Sequence, residues 1–208
     1  MSWLGMMQDE EGVQESAFAT LWDDTFTETV DTNIASHITD DGKSYLANKT
    51  LNNATLQTAA PGHIVLASSA VLNRNETLTG PVFNIGTTRC KVSFNISNLD
   101  TSLNDHRYMI RINPSDLVRK PHLQITRNGL TLYAGNFSSL GSYATTLENS
   151  HLIEIYDDGT NAVGGINVYL DGTLRITSSA GDTNTTGTQH AISLTGTGLI
   201  DNLLITEW

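Results

Sequence analysis

The sequence predicts an all-β protein in which two antiparallel sheets form a sandwich behind a short N-terminal arm. Short runs of alternating apolar and polar side chains predict the strands, because successive side chains of a strand point to opposite faces. Turn-forming pairs rich in Gly, Asp and Asn separate these runs, and no amphipathic helix intervenes. The 208 residues are only 16% charged. That composition is poor in the Glu and Lys of long surface helices and favours strands joined by polar turns.

The first 20 residues differ from the rest of the chain and are predicted to form the arm, with the sandwich spanning residues 21–208. Four large apolar residues stand ahead of an acidic stretch: Trp3, Leu4, Met6 and Met7. An apolar tip on an acidic stem cannot bury itself alone. It either packs back on its own domain or anchors the chain to a neighbouring subunit or a larger particle.

The charged residues are distributed unevenly along the chain. The net charge is −11, and ten of the 22 acidic residues precede Lys43, whereas seven of the 11 basic residues lie between Arg89 and Arg127. Such a distribution would attract copies of the same chain, although solvated surface charge also explains it. A pI of 4.7 argues against a nucleic acid partner. The sequence contains no membrane-spanning stretch and no secretory signal, so we expect synthesis in the cytoplasm without membrane insertion.

Six alternating runs are the clearest predicted strands. They are CKVSFNIS at 90–97, RYMIRI at 107–112, HLQIT at 122–126, LTLYAG at 130–135, HLIEIY at 151–156 and LIDNLLITEW at 199–208. In the first of them, Cys90 falls on the same face as Val92 and Phe94. We therefore expect this single cysteine to be a core residue, and it cannot form an intramolecular disulfide.

The segment INVYLDGTLRI at 166–176 is predicted to be a β-hairpin. Asp171 and Gly172 stand between two alternating runs, and Asp-Gly is a favoured pair for a two-residue type I′ turn. Turn formation explains Asp171 without a role in ligand binding. Tyr169 alternates with the apolar residues of the first run, so we expect its ring to face away from the core.

Three segments together resemble the concanavalin A-like (laminin-G-like) jelly-roll domain, in the form found in bacteriophage virion proteins and bacterial surface proteins. Segment 21–46 carries a D-x-F sequence followed by D-x-G and an aromatic residue. The matching positions are Asp24, Phe26, Asp41, Lys43 and Tyr45. Segment 151–176 is similar to the paired central strands of that fold. Segment 199–208 is similar to its closing strand, which returns beside the first.

This resemblance implies two stacked sheets, with any ligand site on the concave face or its rim loops. Some relatives hold calcium there through aspartates and backbone carbonyls. The carboxylates available here are Asp157, Asp158, Asp182 and Asp201. They form no dense loop of the D-x-D-x-D-G kind, so we expect Ca²⁺ to be absent or weakly bound.

Catalytic motifs are missing from the sequence. Retaining β-glucanases of this fold carry E-x-D-x-E on one strand, which places the carboxylates on one face. Here Glu154 and Asp157 have odd spacing and are predicted to point to opposite faces. There is no His pair with zinc-site spacing and no G-x-S-x-G elbow. We expect no catalytic residues and no enzymatic activity; a lyase or hydrolase with unusual residues is the remaining alternative.

Two functions follow from these observations. The first is a non-enzymatic phage virion protein: a capsid decoration, head appendage or tail-fibre module. Its arm would bind other virion proteins and copies of itself, and contact with host-surface glycans would be secondary. The second is a lectin-like carbohydrate-binding module of a bacterial surface or polysaccharide-processing protein. Sugar rings stack on exposed aromatic side chains, and the candidates are Tyr133, Tyr143 and Tyr169, for which sheet packing is the alternative.

Overall fold

The computed structural model confirms an all-β chain. It describes residues 18–26, 32–33, 37–45, 56–59, 63–66, 82–97, 99, 106–113, 121–135, 137–181, 184–193 and 199–208. All regular elements within these residues are strands. The apolar residues of the predicted arm (Trp3, Leu4, Met6 and Met7) lie outside the described residues, as does Asp182.

The described strands number 15. They are β1 (Thr20–Asp24), β2 (Thr32–Asn33), β3 (Leu56–Ala59), β4 (His63–Leu66), β5 (Val82–Asn84), β6 (Cys90–Ser97), β7 (His106–Ile112), β8 (His122–Thr126), β9 (Gly129–Tyr133), β10 (Ser139–Ala144), β11 (His151–Asp157), β12 (Ile166–Leu170), β13 (Thr173–Thr177), β14 (Gln189–Ser193) and β15 (Leu199–Thr206). None of the described residues belongs to a helix that could cross a membrane.

The strands form two antiparallel sheets, as predicted. The large sheet has the order β13-β12-β11-β6-β15-β4-β3-β2, with β1 also pairing with β15. The small sheet has the order β10-β9-β8-β7-β14-β5. The last strand thus lies beside the first, as the jelly-roll resemblance implied. The sheets also meet along one side, where the Ser179 amide donates a hydrogen bond to the Leu140 carbonyl at 2.9 Å.

The core lies between the two sheets and follows the alternation in the sequence. In β6, Cys90, Val92 and Phe94 are fully buried whereas the intervening residues are partly exposed, which confirms the predicted core face. The Phe94 ring stacks on Tyr108 of the small sheet at a centroid distance of 5.2 Å. Burying each large apolar side chain contributes about 1.5–3 kcal/mol, so this interior is the main source of stability.

Segment 21–46, the first of the three that resemble the jelly-roll domain, contains a buried polar cluster at the end of β1. The Asp24 carboxylate is fully buried and accepts hydrogen bonds from His37 Nε2 at 2.8 Å, Tyr45 Oη at 2.9 Å and the Phe26 amide at 3.1 Å. Burial raises the pKa of Asp24 above its ordinary value, against the opposing effect of these donors. The cluster ties the turn at 37–45 to the first strand, so the D-x-F and D-x-G motifs are structural here.

The second half of that motif fixes the turn itself. Thr39 Oγ1 donates to Asp41 Oδ1 at 2.6 Å, and Lys43 Nζ lies 2.5 Å from Asp41 Oδ2. The same Lys43 ammonium donates to the Leu21 carbonyl at 2.7 Å. Each polar residue of the motif therefore bonds to its own turn or to β1.

The β12–β13 hairpin has the predicted turn. Asp171 and Gly172 have φ values of 50° and 73°, as a type I′ turn requires. The Asp171 carboxylate also accepts the Leu152 amide at 2.9 Å and lies 2.8 Å from His151 Nδ1. Slight burial acts to raise the pKa of Asp171, but these hydrogen bonds outweigh it and leave the pKa below its ordinary value. Asp171 thus shapes the turn and joins it to β11.

Candidate functional site

Three aromatic side chains lie together on the outer face of the large sheet. In β11, Ile155 is buried, so Tyr156 points to the opposite face; in β12, Tyr169 points outward in the same way. This confirms the orientation predicted for Tyr169. The Tyr156 ring lies 5.0 Å from the Tyr169 ring and 5.4 Å from the Trp208 ring, measured between centroids. We call these three residues the aromatic strip.

Strand register explains why the strip forms. Tyr156 lies opposite Asn167 of β12, two residues before Tyr169, so the two tyrosines are diagonal neighbours on one face. Trp208 follows β15, whose Thr206 pairs with Lys91 of β6, and Lys91 in turn pairs with Tyr156. The strip therefore runs diagonally from β12 to the end of β15.

Two cations border the strip. The Arg89 guanidinium carbon lies 5.3 Å from the Trp208 ring centroid, and Lys91 Nζ lies 5.0 Å from that of Tyr156. Lys91 Nζ also lies 2.7 Å from Glu154 Oε1. Partial burial acts to lower the pKa of Lys91, but Glu154 and Tyr156 outweigh it and raise the pKa. Cation–π contacts of this kind contribute about 0.5–1 kcal/mol at exposed sites and hold the rings in place.

Polar atoms of the strip keep unused hydrogen-bonding capacity. Among the described residues, the Tyr169 hydroxyl and the Trp208 indole N–H make no hydrogen bond. Leu174, which is 46% exposed, lies opposite Tyr169 and extends the apolar surface onto β13. The face thus combines ring surfaces, an apolar edge and free polar groups, which are the components of a site for an amphipathic ligand.

The other two tyrosines proposed from the sequence lie elsewhere. Tyr133 is on the outer face of the small sheet, where its ring stacks on His122 at 5.2 Å and approaches the exposed Phe137 at 6.4 Å. Tyr143 lies where β10 meets β13, and the Arg175 guanidinium carbon is 4.7 Å from its ring centroid. The structure therefore does not bring Tyr133, Tyr143 and Tyr169 together.

Tyr156 and Trp208 were not among the aromatic residues predicted to bind sugar rings. The alternation in HLIEIY carried a usable signal for Tyr156, because Glu154 and Tyr156 fall opposite the apolar residues of that run. Trp208 ends the run LIDNLLITEW, whose alternation places it on the face opposite Leu203 and Ile205. It lies beyond the end of β15, which stops at Thr206, and only the pairing of distant strands places it beside Tyr156.

Three of the four carboxylates considered as oxygen donors for calcium lie within the described residues, and each of the three has another partner. Asp157 is buried with Arg111 of the small sheet, with Arg111 Nε 3.0 Å from Asp157 Oδ2. Asp158 accepts the Thr160 amide at 2.7 Å, and Asp201 accepts the Asn202 amide at 2.8 Å. No three His, Cys, Asp or Glu side chains of the described residues are grouped so that they could hold a metal ion.

The Arg111–Asp157 pair joins the two sheets inside the core. A β-bulge in the pairing of β7 with β14 gives Arg111 a φ of 51° and lets its side chain reach the opposite sheet. Burial raises the pKa of Asp157 to about 7, against the opposing effect of Arg111. Burial also lowers the pKa of neighbouring His190 to about 3, with Arg111 adding to that effect. Burial raises the pKa of the Cys90 thiol, which makes it unreactive.

The carboxylates Glu154 and Asp157 point to opposite faces of β11, as the odd spacing predicted. Asp157 is fully buried, whereas Glu154 is partly exposed and faces the strip with Lys91. A retaining glycosidase needs two carboxyl groups about 5–5.5 Å apart on either side of the scissile bond. Glu154 and Asp157 do not supply such a pair.

Comparison with known proteins identifies the fold. No family model and no curated protein matches this sequence. Among solved structures, an endo-1,3-β-glucanase from Streptomyces sioyaensis matches with a TM-score of 0.53 and 11% identity, over 92% of this chain and 96% of that one. A sialidase matches with a TM-score of 0.56 and 10% identity, over 91% of this chain but only 19% of that one. A carbohydrate-binding module, CBM66 from Bacillus subtilis, matches with a TM-score of 0.41 and 12% identity, over 86% of this chain and 91% of that one.

The first two likenesses show a shared fold, which is the jelly-roll sandwich expected from the sequence. At these identities they show the fold alone. The link to virion proteins stays a prediction from the resemblance of residues 21–46.

Proposed function

We propose that this chain is a non-enzymatic carbohydrate-binding module and that the aromatic strip is its binding surface. The observation that carries the proposal is the grouping of Tyr156, Tyr169 and Trp208 on one outer sheet face beside exposed polar groups. Sugar rings have apolar C–H faces and hydroxyl edges. Aromatic rings with a polar tip suit such a ligand, because one part of the surface excludes water and the other forms hydrogen bonds.

Each part of the strip has a separate task in this proposal. The partly exposed faces of Tyr156 and Tyr169 pack against the sugar ring. The Tyr169 hydroxyl and the Trp208 indole N–H, which make no hydrogen bond with described residues, bond to sugar hydroxyls. Pairing of strands β6, β11 and β12 holds these groups on a rigid sheet, so binding requires little ordering of the protein.

Binding without hydrolysis is favoured by the charges at the strip. Glu154 faces the strip but forms an ion pair with Lys91 at 2.7 Å, and its neighbour Asp157 points into the core. Most glycosidases hydrolyse their substrate with two carboxyl groups beside the scissile bond. We therefore propose a contact role for Glu154, in which its carboxylate accepts a sugar hydroxyl.

The proposal is tested by binding to a panel of soluble polysaccharides, measured by affinity electrophoresis and calorimetry. Tyr169→Ala and Trp208→Ala should each weaken binding at least tenfold, as expected for aromatic residues central to an interface. Tyr133→Ala on the other sheet is the matched control and should leave affinity unchanged. Loss of binding in the Tyr133 variant alone would move the site to the small sheet, and no binding to any polymer would reject the proposal.

We retain the virion role as a second candidate because Ala19, near the end of the predicted arm, lies beside the strip. The Ala19 carbonyl accepts a hydrogen bond from the Glu207 amide at 2.9 Å, so the chain enters β1 beside Trp208. A chain anchored through residues 1–20 would carry the strip near its attachment point. Deleting residues 1–17 should abolish incorporation into a particle while glycan binding persists; incorporation without them would reject the anchoring role.

A further inference from the structure

Arg89 differs from the other cation at the aromatic strip. It is exposed, precedes β6 and lies over Trp208, whereas Lys91 is already paired with Glu154. No carboxylate of the described residues forms an ion pair with Arg89. The guanidinium is thus held on a ring without its charge being neutralised.

The guanidinium N–H groups of Arg89, which are the donors that recognise anions, are available to a ligand. The Arg89 guanidinium carbon lies over the indole ring, 5.3 Å from its centroid, and no carboxylate of the described residues pairs with the N–H groups. Those donors form a fork that matches the two oxygens of a carboxylate. The contact with Trp208 also restricts the side chain, so less conformational entropy is lost when an anion binds.

Arg89 can attract an anion only at short range, because the rest of the chain is negatively charged. The chain carries a net charge of −11, which would repel a polyanion from most of its surface. At physiological salt that repulsion is screened beyond about 8 Å, whereas a direct contact with Arg89 is screened much less. A carboxylate beside the strip would therefore be held by contact rather than by the overall field.

Building on the proposed function, we infer that Arg89 makes the strip selective for acidic sugars, in which a ring carboxylate binds the guanidinium while the sugar ring packs on the strip. The ligand class is a uronic-acid glycan. Trp208 is a positioning residue for Arg89 as well as part of the strip, since its ring holds the guanidinium at 5.3 Å.

The test compares a soluble polyuronide with its carboxyl-reduced form, which has the same backbone but no charge. Calorimetry should give at least tenfold tighter binding of the polyuronide by the unmodified chain at low salt, and a smaller preference in high salt. Arg89→Gln should abolish the preference, so that the two polymers bind this variant with affinities within about twofold of each other. Arg89→Lys, which keeps the charge but loses the fork, should retain part of it.

Arg175→Gln is the matched control, because it also removes an exposed arginine whose guanidinium lies over an aromatic ring, that of Tyr143. It should leave the preference intact. Equal binding of both polymers by the unmodified chain would overturn the inference while leaving the proposed function in place. The inference would also be overturned if Arg89→Gln weakened binding of both polymers equally, or if Arg175→Gln reduced the preference as much as Arg89→Gln does. Failure to bind either polymer or any other glycan would reject the proposed function and the inference with it.

Discussion

Replacing Asp24 by alanine should destabilise the sandwich by about 3–5 kcal/mol. The buried carboxylate accepts hydrogen bonds from His37, Tyr45 and the Phe26 amide. The substitution removes one hydrogen bond from each of these three buried donors, and each such loss costs about 1–3 kcal/mol before water enters the space. For a chain of this size the change corresponds to a fall in melting temperature of about 10 °C.

Urea unfolding followed by circular dichroism would measure this loss through the linear dependence of the unfolding free energy on denaturant. Asp158→Ala is the matched control, because Asp158 accepts one amide hydrogen bond in a surface turn. Its cost should be about 1 kcal/mol or less. If the Asp24 and Asp158 variants differed by less than about 1 kcal/mol, the cluster would not hold the first strand as argued.

Two further predictions concern the buried polar pair and its neighbours. Because the pKa of Asp157 is raised to about 7 in the folded chain, the folded state binds more protons than the unfolded state from about pH 4 to about 7, and its stability declines with rising pH over that range. His190, with a lowered pKa of about 3, acts in the opposite direction below about pH 6.5, so the two effects offset each other. Asp157→Asn should therefore lose stability relative to the unmodified chain as pH falls from about 7 to about 4. Urea titrations at several pH values would measure this, and a difference in unfolding free energy that stays constant with pH would contradict the coupling. Gly187→Ala should destabilise the fold by about 1–3 kcal/mol, since its Cβ would lie 2.1 Å from the Arg111 carbonyl oxygen; an unchanged urea midpoint would contradict that contact.

Local patterns were sufficient to predict β6–β9, β11–β13 and β15, together with the turn between β12 and β13. The period-two alternation of β6, β11 and β12 depends only on neighbouring residues, and it places Cys90 and Tyr169 on the correct faces. The Asp171-Gly172 turn was likewise predictable, since φ > 0 at two positions selects a few residue pairs. The strands between residues 32 and 84 were not singled out, because their short runs lack a clear alternation.

The candidate site depends on long-range pairing, which the sequence does not encode locally. Trp208 reaches Tyr156 only because β15 pairs with β6 and β6 with β11. The sequence shows Asp157 only as one of several available oxygen donors, whereas a bulge in β7 supplies Arg111 as its partner. Register shifts of this kind reverse the direction of a side chain and cannot be read from periodicity.

The central claim, that the aromatic strip binds carbohydrate, is tested most directly by the indole N–H signals in a proton–nitrogen NMR spectrum. The chain has three tryptophans, of which Trp22 is buried in β1 and Trp208 belongs to the strip. During titration with the polysaccharide panel, the Trp208 indole signal should shift and saturate while that of Trp22 stays in place. A Trp208 signal that does not move at saturating polysaccharide would contradict the account.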